Sequence, residues 1–216
     1  MQLRYGKLMV SAIAALAVAG AYASWTITVT QNTGSVTSSS GTEATAALVS
    51  TYSDVLPQVY VIPIAGNPFP IAAGGGLPYT EGYSFVEYTV SGSAPLTGLY
   101  IVMAGLVRGN ATVSWSKLVV DLDTNTTLLD VSAVYNGSGL NGSDGTINDV
   151  RFFDFSIPSS NFRVIDTITV YADQAPSSRD VAIPSQFVQA FVPEPASMLA
   201  LGVGLAGLVG LRRRKK

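Results

Sequence analysis

The chain has 216 residues, with 12 basic and 14 acidic side chains, and contains neither cysteine nor histidine. Without those two residue types there is no disulfide, no Cys-His or Ser-His-Asp nucleophile and no His-ligated zinc or iron. The net charge of −2 hides an uneven distribution: the two ends hold seven basic residues and one acidic residue, so residues 24–192 carry five against thirteen, a net charge of −8. Such a body excludes the basic footprint of a nucleic-acid binder and docking on anionic head groups; it suits solubility outside a cell, or divalent-cation binding.

Residues 1–23 have the form of a secretory signal peptide. Arg4 and Lys7 make a basic start, residues 8–20 form an apolar run, and Ala21, Tyr22 and Ala23 make an A-x-A site for signal peptidase. Cleavage there leaves Ser24 as the new N-terminus. The body that follows is long enough for one domain with its own core.

Residues 24–30 (SWTITVT) alternate apolar and hydroxyl side chains, the period-2 pattern of a half-buried strand. Residues 31–45, rich in Ser, Thr and Gly, are expected to form a loop, and residues 44–52 one short helix. A strand over Val59, Tyr60, Val61 and Ile62 leads into a Pro/Gly-rich connection. From Tyr83 the alternation is steady, with expected strands at 83–90, 99–107, 111–122, 127–135, 149–157 and 164–172. Turns are expected at Ser91 and Gly92, Arg108 to Asn110, Asp123 to Asn125, Asn136 and Gly137, and Asp144 and Gly145. The expected fold is all-β, an antiparallel β-sandwich or jelly-roll-like ectodomain over residues 24–174, with an N-terminal signal helix and a single C-terminal transmembrane helix. Residues 175–191 read either as a tether or as a last strand.

Chemistry is sparse in the body. Asp121, Asp123 and Asn125 open like an EF-hand loop, but Thr126 stands where Gly is needed and Ser132 where the bidentate Glu is needed. Asn141, Asp144, Asn148 and Asp149 gather oxygen ligands in a Gly-rich stretch, where calcium is the candidate cofactor, though a solvated hairpin loop is the plainer expectation. Carboxylate pairs for a glycosidase could be Glu81 with Glu87, or Asp149 with Asp154. Ser116 and Lys117 are adjacent on a strand and point to opposite faces, so they make no dyad. Tyr83, Phe85, Tyr88, Trp115, Tyr135, Phe152, Phe153 and Phe155 could supply a sugar-stacking platform, though core is the expected place for most, Phe153 and Phe155 among them. Asn110, Asn125, Asn136 and Asn141 lie in N-x-S/T sequons. No catalytic residue and no metal ligand is assigned.

Residues 192–216 carry the most specific signal. Pro193, Glu194 and Pro195 form a rigid extended tripeptide. Residues 196–211 are free of charge; 16 residues rising ~1.5 Å each span ~24 Å, somewhat under the ~30 Å hydrocarbon core. Arg212, Arg213, Arg214, Lys215 and Lys216 can snorkel to make up the difference, and they hold the C-terminus on the cytoplasmic side. The tripeptide, the Gly/Leu/Ala/Val run and the basic end, in that order, resemble the PEP-CTERM sorting signal. The resemblance implies an exosortase partner in a Gram-negative bacterium that makes extracellular polysaccharide. It also implies inner-membrane anchoring before processing and a final place on the cell surface or outside. For the body it suggests a non-enzymatic structural or adhesive role, with extracellular polysaccharide as a partner. A carboxylate-based glycan hydrolase or lyase and a calcium-stabilised carbohydrate-binding module are the alternatives.

Overall fold

The computed structural model describes residues 25–44, 51–53, 58–62, 71–137, 145–173 and 179–193. The signal segment with Ala21, Ala23 and Ser24, the expected membrane helix, Glu194, Pro195 and Arg212 to Lys216 all lie outside them. So do Asn141, Asp144 and most of the helix expected at 44–52.

Among the described residues there is no helix, and every strand pairing is antiparallel. The strands are β1 (Trp25–Ser38), β2 (Gly41–Ala44), β3 (Thr51–Ser53), β4 (Gln58–Ile62), β5 (Ala73–Gly74), β6 (Tyr79–Arg108), β7 (Ala111–Asp121), β8 (Thr127–Asn136), β9 (Thr146–Ala172) and β10 (Val181–Pro193). The main path runs β3-β4-β10-β6-β9-β7-β8, with β1 also on β6, β2 on β1 and β5 on β10.

Two strands do most of the organising. β6 and β9 are 30 and 27 residues long, each covering what alternation alone divides into two strands. Ser91 and Gly92, expected as a turn, stay within β6. The β6–β9 register jumps between Ser91 and Leu96 and again before Gly98; such shifts bend strands and let them pass from one half of a sheet to another. Before the bend, β6 pairs with β1 and with the second half of β9, which carries β7 and β8. Beyond it, β6 pairs with β10 and with the first half of β9. At the bend Gly98 lies so close to the carbonyl of Phe153 that a Cβ would sit 2.3 Å from its oxygen.

The two halves face each other. β7 and β10 share no ladder, yet the rings of Trp115 and Phe187 lie 5.7 Å apart. Phe162 and Phe191 meet at 5.3 Å, and Tyr88 and Phe191 edge-to-face at 6.5 Å. The core between them includes Trp25, Val86, Val90, Leu99, Ile101, Met103, Val113, Val164, Ile168 and Val170, all nearly inaccessible.

One further expectation is corrected, and one left open is resolved. Within the loop expected at 31–45, the described residues 31–44 form a hairpin instead: β1 continues to Ser38 and pairs with β2, because Ser and Thr side chains tolerate an exposed pleat as well as a loop. Of the two readings of residues 175–191, the last strand is the one found from Val181 onward as β10, and Pro184 is accommodated at a register shift between Pro184 and Gln186, where its missing N–H interrupts no regular ladder.

Candidate functional site

The sorting tripeptide begins inside the fold. β10 ends on Pro193, which is buried and registers with Leu96 just after a shift from the Val192–Gly98 pair. The Thr97 hydroxyl donates to the Val192 carbonyl at 3.4 Å. No spacer separates the last strand from the motif.

A second feature of β10 has no counterpart in the expectations above. Alternation on β10 turns Phe187, Gln189 and Phe191 inward; on β7 it turns in Val113, Trp115, Lys117 and Val119; on β9, Val164, Asp166, Ile168 and Val170. Lys117, Asp166, Gln189 and the inward Tyr88 of β6 are each 1% exposed or less, and they meet in the centre of the core. Lys117 Nζ donates to Asp166 Oδ1 and to Gln189 Oε1. Gln189 Nε2 donates to Asp166 Oδ2 at 2.7 Å, and the Tyr88 hydroxyl donates to the same Gln189 Oε1. The rings of Tyr88 and Phe187 flank the ammonium, each with its centroid 6.0 Å away. Burial pushes the Lys117 amine below its ordinary value, the Asp166 carboxylate opposing it. Burial raises the Tyr88 phenol well above its ordinary value, and Asp166 adds to the effect, so the hydroxyl stays a donor. Sequence reasoning passed over this quartet. The available signal was the position of Lys117, Asp166 and Gln189 on the inward parity of otherwise apolar strands.

The other candidates are separated or engaged elsewhere. Glu81 and Glu87 lie on one strand six residues apart, ~20 Å at a strand's rise, far beyond the ~5–10 Å a glycosidase pair needs. Asp149 and Asp154 are five residues apart on β9, ~17 Å by the same rise. Asp149 also accepts from the Tyr135 hydroxyl at 2.6 Å and pairs with Arg151; burial and Asp149 push the Tyr135 phenol up to about 12. Asp121 caps its own turn. Its Oδ1 accepts from the backbone of Asp123 and Thr124 and from the Thr124 hydroxyl, and its Oδ2 from Ser159. Asn125 completes that turn at φ 57°. No group of three acidic side chains gathers among the described residues.

Of the aromatic candidates, Tyr88, Trp115, Tyr135 and Phe155 are core, and Phe153 packs against it. Tyr83 and Phe152 face outward. Tyr83 and Tyr171 flank an open groove of about 370 Å³ on the outer face of β1, β6 and β9, with Glu81, Ser35, Thr37 and Thr169 between them.

The PEP-CTERM protein-sorting motif family matches residues 191–215. The chain thus carries this sorting signal, which implies export, membrane anchoring before processing, and an exosortase as the processing partner. No curated protein matches the chain. Among solved structures, TmCBM61 in complex with β-1,4-galactotriose is 8% identical and covers 76% of this chain and 86% of that one at a TM-score of 0.32. Eiger TNF from S. frugiperda is 9% identical over 79% and 90% at 0.28. Arabinose-bound MgGH51 α-L-arabinofuranosidase is 10% identical over 72% and 26% at 0.30. At this level a likeness carries neither ligand nor activity across.

Proposed function

We propose that the protein is a non-enzymatic structural or adhesive component of a bacterial cell surface or polysaccharide matrix. It is exported through the signal peptide at residues 1–23, held by a helix within residues 196–211 and released to its final place by an exosortase. Its body is read as a sandwich-like folded-over sheet. The observation that carries the reading is the continuity of β10 with the sorting motif, which delivers a folded body to the membrane surface with no tether between. The separation of the carboxylate pairs supports a role without catalysis. The test is to replace Pro193, Glu194 and Pro195 together by alanine and examine both termini by mass spectrometry, beside an exosortase-deficient strain. The expected result is a full-length C-terminus retained in the membrane in both cases; normal maturation of the triple variant refutes the reading.

A second reading is favoured by the groove between Tyr83 and Tyr171, whose half-exposed rings, carboxylate and hydroxyls suit stacking and hydrogen bonding to a neutral glycan. It makes the body a carbohydrate-binding module that holds the protein in the matrix.

A further inference from the structure

We propose that Lys117 and Gln189 join in an intramolecular isopeptide bond, formed by the folded protein itself with release of ammonia.

The four buried side chains supply one group for each part of that reaction. The nucleophile is the Lys117 amine, which must be uncharged to attack. Its ammonium lies on Asp166 Oδ1; burial favours the uncharged amine, and the carboxylate is placed to take the proton it gives up. The electrophile is the Gln189 carboxamide carbon, one bond from the Oε1 that Lys117 already contacts. The Tyr88 hydroxyl donates to this oxygen, so a donor is in place where negative charge develops as nitrogen adds to the carbonyl. The leaving nitrogen, Nε2, is 2.7 Å from Asp166 Oδ2. Asp166 therefore touches both nitrogens, one with each oxygen, as a group that moves a proton from the one to the other must.

The step balances. A bond forms between Lys117 Nζ and Gln189 Cδ while the carbonyl electron pair moves onto Oε1. Asp166 gives its proton to Nε2 and takes one from Nζ. The carbonyl reforms, the Cδ–Nε2 bond breaks with its electrons on the departing nitrogen, and ammonia leaves, carrying away as ammonium the proton the lysine brought. No oxidant, metal or cofactor takes part. Gln189 is the electrophile and Asp166 the proton carrier, not the reverse, because Tyr88 donates to the amide oxygen and because Asp166 touches both the attacking and the leaving nitrogen.

The strand positions give the bond a purpose. Lys117 is on β7 and Gln189 on β10, two strands that share no ladder. The bond closes a loop between residues 72 apart, which restricts the unfolded chain as any cross-link does. It also fastens β10 four residues before Pro193, where the sorting motif begins. That placement matters for holding the body at the membrane only if the sorting reading holds; the chemistry does not depend on it.

The test is peptide mass mapping of the full chain after tryptic digestion. The expected product is a branched peptide in which trypsin has failed to cut after Lys117 and the Gln189 peptide is attached, about 17 Da lighter than its parts, the mass of ammonia lost in amide exchange. Separate Lys117 and Gln189 peptides from the folded protein overturn the proposal, and so does a loss of about 18 Da with linkage to Asp166, since that makes the carboxyl the electrophile. Asp166→Asn and Gln189→Glu keep side-chain size. Both are expected to fold by circular dichroism and to lack the branched peptide, while Tyr88→Phe forms it more slowly. A folded Asp166→Asn chain that links as fast as the parent refutes the assigned chemistry. Should a variant fail to fold, the parent's own digest still decides.

Discussion

Two carboxylates in this molecule are almost equally hidden and differ in everything else. Asp121 is 5% exposed and Asp166 inaccessible. Asp121 takes three of its four hydrogen bonds from residues two and three positions ahead; only Ser159 comes from afar. Asp166 is held by Lys117, 49 residues away, and by Gln189, 23 residues away. The first shapes a turn and needs no partner of opposite charge, since donors alone satisfy it. The second lies among aromatic rings and is tolerated only because a lysine and an amide meet it there. A buried ion pair of this kind adds little net stability over a well-packed apolar core. Its presence calls for a reason beyond stability, and bond formation is such a reason.

The harshest way to break this comparison is Lys117→Met. It leaves Asp166 buried without its cation and is expected to cost about 3–5 kcal/mol, read by denaturant unfolding. The informative partner is the triple variant Lys117→Met/Asp166→Leu/Gln189→Leu. It removes every charge from the site and is expected to recover much of that loss, while remaining unlinked and so expected to unfold faster than the parent in prolonged denaturant. Full recovery of stability together with an unfolding rate equal to the parent's makes the quartet ordinary packing.

A gentler change acts on the other carboxylate. Hydrogen bonds from the Ser159 and Thr124 hydroxyls, with the turn's backbone, hold Asp121 below the ordinary carboxylate value. A group depressed on folding adds stability above its unfolded pKa of about 3.9 and loses it as the pH falls through the folded value. Asp121→Asn is therefore expected to lose about 1–2 kcal/mol near neutrality. The gap to the parent should begin to narrow below pH ~4, where the unfolded chain takes up the proton, and go on closing as the pH falls through the lower folded value. A gap unchanged between pH 7 and pH 3, followed by thermal melting, contradicts this account of the turn.

The same contrast explains what was legible beforehand. Asp121's turn was visible as Asp123, Thr124 and Asn125 because its bonds are local, and a turn's chemistry is written in adjacent residues. The inward faces of β7 and β9 were visible as alternation. The long strands were not. Ser91 and Gly92 look like a turn, yet pairing on both sides carries β6 through them, which is a property of the neighbours. β10 was obscured by Pro184, which alternation counts against a strand, while a register shift accommodates it. Each member of the quartet was visible as an oddity of its own strand. Their meeting was not, because it depends on the fold bringing β7, β9 and β10 together. The motif at Pro193, Glu194 and Pro195 was legible for the opposite reason: it is read as a linear segment.

The smallest expected effect on stability comes from the outer groove. Tyr83 and Tyr171 are 40% and 41% exposed, so replacing either by alanine removes little buried surface and is expected to shift stability by no more than about 0.5 kcal/mol. Their value lies in what they separate. If the groove holds a glycan, the double variant Tyr83→Ala/Tyr171→Ala should abolish retention on a neutral polysaccharide column while melting with the parent and still giving the branched Lys117–Gln189 peptide. Because the rings stack through apolar faces, that retention should also survive high salt, which screens contacts with the acidic body. Unchanged retention by the double variant leaves the body as a structural element, with its chemistry directed inward at β10.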